Sequence, residues 1–213
     1  MKTYQSYLFD ADGTLFDTAE LICDCFQHVA IQHTDKALDR SAILSGYGLP
    51  LKGQLLKLLG TDIDIERVLD DYMDYQLEVL EERIVPFPGV VKTLEKIKNA
   101  GKQLAIVTSR RRYSMEKILD YTGTTHLFDT VVTPEDTHLH KPDAAPTLLA
   151  IEQLGAEKAG CVFTGDAEFD ILSGSGAGID TAFVGWSHLD VASLSVQPTW
   201  TLTSINDIAA PLP

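Results

Sequence analysis

Cysteine is scarce in this 213-residue chain: Cys23, Cys25 and Cys161 are an odd set that makes no disulfide framework. Met1–Phe9 also lacks the apolar core of roughly 7–15 residues and the cleavage site of a secretory leader, so a reduced, cytoplasmic setting is expected. No stretch approaches the roughly 20 consecutive apolar residues that a membrane span requires. Basic residues are few as well, 17 against 31 acidic ones, and the formal charge of −14 repels nucleic acid and anionic membranes. A small, metal-chelated substrate fits that charge better than DNA.

An apolar fraction of 45% is enough for one good core, or for a core plus a smaller accessory domain. From Gly89 onward strand-like and helix-like segments alternate, which predicts crossover units around a parallel sheet. Val90–Ala100 reads as an amphipathic helix with Val90, Val91, Leu94 and Ile97 on one stripe, closed by Gly101, and Gln103–Val107 as the strand that follows. The pattern continues with helix Arg112–Tyr121, strand Thr130–Thr133, helix Ala144–Leu154, strand Gly160–Thr164, helix Glu168–Ala177 and strand Thr181–Val184. Tyr4–Phe9 supplies a first strand. Between about Phe16 and Ile84 the spacing is helical and no strand is expected, so this segment reads as a helical insertion that ends at "VPFPGV".

Ligands of open α/β sheets gather at the carboxyl ends of the strands. Polar residues follow apolar runs at four places: Asp10 and Asp12, Thr108 and Ser109, Lys141 in "HLHKPDAAP", and Asp166 with Asp170 in "VFTGDAEFD". Carboxylates converging on one spot repel each other and need a divalent ion, and hard oxygen donors without His or Cys favour Mg²⁺. An aspartate can form a covalent aspartyl-phosphate, and the phosphoryl group then demands positive charge and hydroxyl or backbone donors around it. Mg²⁺, Lys141 and Thr108 would supply them.

An Asp-x-Asp-Gly-Thr box, a strand-end Thr, a Lys and a Gly-Asp-x-x-x-Asp box, in that order, make the chain resemble the haloacid dehalogenase superfamily. "PFPGV", "GLPL" and "HKPD" resemble its phosphoglycolate phosphatase branch and pyrophosphatase relatives. The resemblance implies a Rossmann-like, doubly wound α/β core formed by residues 1–15 and 85–213, with residues 16–84 as an inserted helical cap. It implies a Mg²⁺-dependent phosphatase acting on a small phosphorylated metabolite, as a monomer or weak homodimer. By the same comparison Asp10 is nucleophile and metal ligand, while Asp12 is the acid and then the base and lends its backbone carbonyl to the metal. Thr108 and the amide of Ser109 hold the phosphoryl oxygens, Lys141 neutralises Asp10 and the phosphate, Asp166 ligates Mg²⁺, and Asp170 supports that shell. Residues Gly48–Lys52 of the cap would read the leaving group.

Plainer readings stand beside these. Lys141 is an ordinary surface residue type, Thr108 or Ser109 could cap a helix, and Glu168 and Asp170 suit a helix N-terminus without any metal. The arginines of "SRRRYS" are expected to form a solvated basic turn, the alternative being that one of them touches an anionic substrate, and His138 and His140 a solvated loop. Cys23 and Cys25 face different sides of a helix and are not expected to pair. Ala167 and Thr164 depart from the family pattern. Competing activities are inorganic pyrophosphatase and a β-phosphoglucomutase-like phosphotransferase; Ile22 stands about where the latter carries a His. A signalling receiver domain would lack the helical insertion and the Gly-Asp-x-x-x-Asp box.

Overall fold

The computed structural model describes residues 3–46 and 50–209. In chain order the elements are β1 (Ser6–Phe9), β2 (Phe16–Asp17), α1 (Ala19–Thr34), α2 (Arg40–Leu44), α3 (Leu51–Leu59), α4 (Ile65–Arg83), β3 (Val85–Pro86), α5 (Val90–Asn99), β4 (Gln103–Val107), α6 (Arg112–Tyr121), β5 (Thr130–Val132), α7 (Ala145–Leu154), β6 (Cys161–Gly165), α8 (Glu168–Ala177), β7 (Asp180–Val184) and β8 (Trp200–Leu202). The chain falls into two compact units, one made of the segments up to Asp17 and from Val85 onward, the other of Thr18–Ile84.

The first unit is an α/β core on a six-stranded parallel sheet of order β5-β4-β1-β6-β7-β8. β1 is buried along its whole length and pairs with β4 on one side and β6 on the other, opposing Phe9 to Ile106 and to Thr164. That register sets the carboxyl ends of the three central strands side by side. On one face Leu8, Ala105, Val107, Val132, Cys161 and Phe163 pack with Ala150, Ile151 and Leu154 of α7, and burying these apolar side chains favours the fold.

Three short strands differ from the sequence expectation. β2 and β3 form a two-stranded antiparallel ribbon in which Phe16 opposes Pro86 and Asp17 opposes Val85, so the segment starting at Phe16 opens with a short strand. Two residues are too few to show a period. β8 is an edge strand of three residues, pinned where the Trp200 indole N–H donates to the Tyr4 hydroxyl (2.7 Å), which in turn donates to Asp180 (2.6 Å).

The second unit is helical. Phe26 of α1 meets Tyr72 of α4 edge-on (5.4 Å between ring centres), and His28 stacks on Tyr75 at 4.0 Å. Asp64 caps α4 by accepting from the Arg67 N–H. No helix among the described residues is long and apolar enough to cross a membrane.

One buried polar atom of the sheet is unsatisfied: the Thr164 hydroxyl has no hydrogen-bond partner. An unpaired buried hydroxyl costs about 1–3 kcal/mol, so Thr164→Val is expected to stabilise the fold by about 1 kcal/mol. Melting temperature should rise by roughly 2–4 °C for a chain of this size. A fall instead would show that the hydroxyl is partnered in solution.

Candidate active site

The loop after β1 is what gathers the motif residues. Its turn is closed by backbone bonds from Leu15 and Phe16 N–H to the Ala11 carbonyl, with Gly13 at φ +76°, a conformation that a side chain strains. Asp10 stays in register with the sheet, its N–H donating to the Thr164 carbonyl at 2.9 Å. Asp12 and Thr14 then leave the strand in different directions.

Lys141 lies at the centre. Its ammonium donates to Asp10 Oδ1 and Asp170 Oδ1, both at 2.6 Å, and to the Val107 carbonyl at 3.2 Å. Lys141 is buried because two carboxylates hold it there, as its expected place beside Asp10 requires and the plainer surface reading does not. Burial opposes the charged amine, but Asp10 and Asp170 together outweigh it and raise the Lys141 pKa, so it is a permanent cation.

Asp10, Asp166 and Asp170 converge, with one oxygen of each within 4.8 Å of the others. Thr14 donates to Asp166 Oδ1 (3.1 Å), and the Ser187 hydroxyl donates to the Asp166 backbone carbonyl (2.6 Å). The second oxygen of Asp170 accepts from the Ala167 N–H at 3.0 Å. Asp170 therefore faces Lys141 with one oxygen and ties down the start of α8 with the other. Its carboxylate lies so close to Gly165 that a Cβ there would sit 2.4 Å from Oδ2, which explains a glycine directly before Asp166.

The trio carries more negative charge than one lysine balances. Burial, foremost, pushes the Asp10 carboxyl up to about 7, with Asp170 and Asp12 adding to the rise against the pull of Lys141. Burial, then Asp10 and Asp170, likewise raises Asp166 well above the carboxylate range. This site is starved of positive charge, and its donors are all oxygen. Both properties fit a hard divalent cation.

Thr108 is buried at the end of β4, its hydroxyl accepting from the Arg110 N–H (3.0 Å), while Ser109 is exposed. Asp12 does not join the acidic trio. Arg110 grips it with both arms, Nε to Oδ2 at 2.9 Å and a terminal nitrogen to Oδ1 at 2.6 Å. The expectation of a solvated basic turn is thus corrected for Arg110, which is 8% exposed, although Arg111 is exposed and Arg112 pairs with Asp136. A bidentate carboxylate 98 positions away draws the first arginine inward. His138 and His140 are exposed, and the three cysteines are buried and form no disulfide. Of the stretch Gly48–Lys52, Gly48 and Leu49 lie outside the described residues; Lys52 pairs with Glu66 at 2.5 Å.

Sequence reasoning had no role for Thr14 or Ser187, and gave the three arginines only a shared reading in which one of them could touch an anionic substrate. Thr14 stands inside the first motif, so its position was a signal; Ser187 follows no pattern and is found only through the fold.

Comparison with known proteins identifies the family. A family model described as haloacid dehalogenase-like hydrolase matches residues 7–184. Pyrophosphatase PpaX of Bacillus velezensis is 33% identical over 208 residues, covering 97% of this chain and 95% of the relative, and that of Oceanobacillus iheyensis is 32% identical, covering 96% and 94%. Among solved structures, a haloacid dehalogenase-like protein from Bacteroides fragilis superposes with a TM-score of 0.89 at 26% identity, covering 96% of this chain and 99% of that one. A haloacid dehalogenase-like family hydrolase from Streptococcus pneumoniae, 21% identical, shares the fold with a TM-score of 0.83 and 96% coverage of both chains. With the match spanning most of the core and the relatives aligning end to end, the chain belongs to the haloacid dehalogenase-like hydrolases and is an enzyme of that family's phosphatase type.

Proposed function

We propose that this enzyme is a Mg²⁺-dependent cytoplasmic phosphohydrolase that cleaves a small phosphorylated metabolite through an aspartyl-phosphate. The observation that carries the reading is the buried Asp10 carboxylate at a strand end, bridged by Lys141 to Asp170 and crowded by Asp166. Asp10 and Asp166 would hold the ion directly, with the Asp12 carbonyl, and Asp170 would support them. When bound, Mg²⁺ supplies positive charge beside the phosphoryl oxygens and the attacking carboxylate.

The chain's own residues account for the steps. An Asp10 oxygen attacks phosphorus; the new O–P bond forms as the bridging P–O bond breaks, and the leaving oxygen takes its electron pair and a proton from the Asp12 carboxyl. Asp12, now a carboxylate, removes a proton from water; the water oxygen bonds to phosphorus, the Asp10–phosphorus link breaks, and phosphate departs with Asp10 restored. Thr108 and the Ser109 amide would orient the phosphoryl oxygens, and Lys141 would favour the ionised form of Asp10 against its burial.

Two substrates come first. The names of the relatives aligned over nearly the whole chain favour pyrophosphate, and the sequence motifs resemble both the phosphoglycolate phosphatase branch and its pyrophosphatase relatives. The helical unit Thr18–Ile84 is the proposed cap that chooses among substrates. Phosphate release from both compounds and from a panel of phosphate esters, with Mg²⁺ and with a chelator, tests the reading. Release unaffected by the chelator would overturn it.

The raised acids give a second test. The folded state holds protons on Asp10 that the unfolded chain, with a value near 3.8, releases. Metal-free stability contributed by this group therefore falls as pH rises from about 4 to 7, and the penalty is fully present above that window. Protons and Mg²⁺ compete for the same oxygens, so the Mg²⁺-induced rise in melting temperature should grow between about pH 5 and about pH 8. A rise that shrinks over that range would contradict the assignment.

A further inference from the structure

Arg110 is a buried cation with an unusual set of neighbours. Two of its nitrogens occupy both oxygens of Asp12, a third donates to Ser114 Oγ at 2.8 Å, and its own N–H rests on the hydroxyl of Thr108. It therefore touches one residue from each side of the proposed reaction centre, the proton carrier and the phosphoryl-oxygen holder. The guanidinium fork turns both Asp12 oxygens toward itself, whereas the proposed chemistry needs that carboxyl group turned to a leaving oxygen, so the fork must let go.

We infer that Arg110 selects substrates whose leaving group bears its own oxyanion next to the bridging oxygen, by transferring its fork from Asp12 to that oxyanion. The inference rests on the proposed role of Asp12. A guanidinium presents the same planar pair of donors to a carboxylate and to a phosphate, so the substrate oxyanion keeps the buried guanidinium paired, while the released Asp12 carboxylate, 20% exposed, takes up from solvent the proton it delivers to the leaving oxygen. An oxyanion one or two bonds from the bridging oxygen lies where Asp12 itself must reach, and hence within reach of the group that holds Asp12. A second phosphate in a diphosphate and the carboxylate of an α-phosphooxy acid both meet that requirement. The neutral hydroxyls of a polyol or sugar phosphate offer nothing to take the fork, so opening the ion pair would strand a buried guanidinium. Discrimination arises because only the anionic leaving group frees Asp12 as it binds.

The test is kcat/KM with Mg²⁺ for pyrophosphate, phosphoglycolate and glycerol phosphate in the wild-type enzyme, Arg110→Gln and Arg110→Lys. Gln keeps a donor for Asp12 without the charge, and Lys keeps the charge without the fork. On the better of the two anionic-leaving-group substrates Arg110→Gln should lose about 30-fold or more, against about threefold or less on glycerol phosphate. The wild-type preference should thus fall by about tenfold, with Arg110→Lys intermediate. The two anionic substrates report separately which oxyanion the fork accepts. Equal losses on all three substrates would make Arg110 a support of Asp12 only, and an unchanged preference in both variants would likewise overturn the inference. Should Arg110→Gln fail to fold, wild-type preference in Arg110→Lys has the same consequence. A wild-type enzyme that releases phosphate from none of the three sinks the hydrolase reading first and this inference with it.

Discussion

Replacing Asp10 by Asn is expected to lower phosphate release by about 10³-fold or more while leaving the protein folded and no less stable. The two halves of that expectation have one origin. Asn has nearly the same shape, but its amide is too poor a nucleophile to attack phosphorus, so activity is lost at the first step. Stability is retained because Asp10 is one of three buried carboxylates, and its charge is opposed by burial and by Asp170 and Asp12. Lys141 keeps Asp170 at 2.6 Å and the Val107 carbonyl at 3.2 Å, so the cation is not orphaned. Melting of the metal-free variant at or above the wild-type temperature, together with the loss of turnover, is the predicted pair of results. Turnover equal to wild type would dispose of the aspartyl-phosphate.

Lys141→Met has the opposite profile, costing the fold as well as the reaction. The methionine fills similar space but removes the cation between Asp10 and Asp170, and breaking a buried ion pair costs about 3–5 kcal/mol. For a domain of this size that is a drop in melting temperature on the order of 10 °C. The loss should be greater at about pH 8 than at about pH 5, because at low pH a proton on Asp10 substitutes for the missing ammonium. Added Mg²⁺ should restore part of the stability by returning positive charge to the same oxygens. A variant within about 1 kcal/mol of wild type at both pH values would mean that the trio is neutralised by protons and owes nothing to Lys141.

The contrast between these two variants shows what was readable in the linear chain. Asp10, Thr108, Lys141, Asp166 and Asp170 each follow an apolar run or sit in a compact motif, and the rule that parallel sheets gather ligands at strand ends is enough to place them together. The core strands were readable for the same reason, since buried parallel strands are short apolar runs between punctuated helices. Arg110 was not: three adjacent arginines look alike, and what separates the first from the others is a carboxylate 98 positions earlier in the chain. Thr14 meets Asp166 across 152 positions, and Trp200 finds Tyr4 across 196. These contacts depend on the register of β1 against β4 and β6, which no local pattern contains.

That register has a consequence for synthesis on the ribosome. β1 is made first, yet its neighbours on both sides come later, and the Lys141 contact to Asp10 spans 131 residues. At bacterial and eukaryotic elongation rates of about 5–20 residues per second, the apolar strand and its acidic tip wait on the order of ten seconds for a partner. The helical unit Thr18–Ile84 is continuous in sequence and closes its own contacts during that interval. The nascent chain therefore emerges with its helices able to pack while an orphaned apolar strand precedes them, a period in which that strand is open to misassociation.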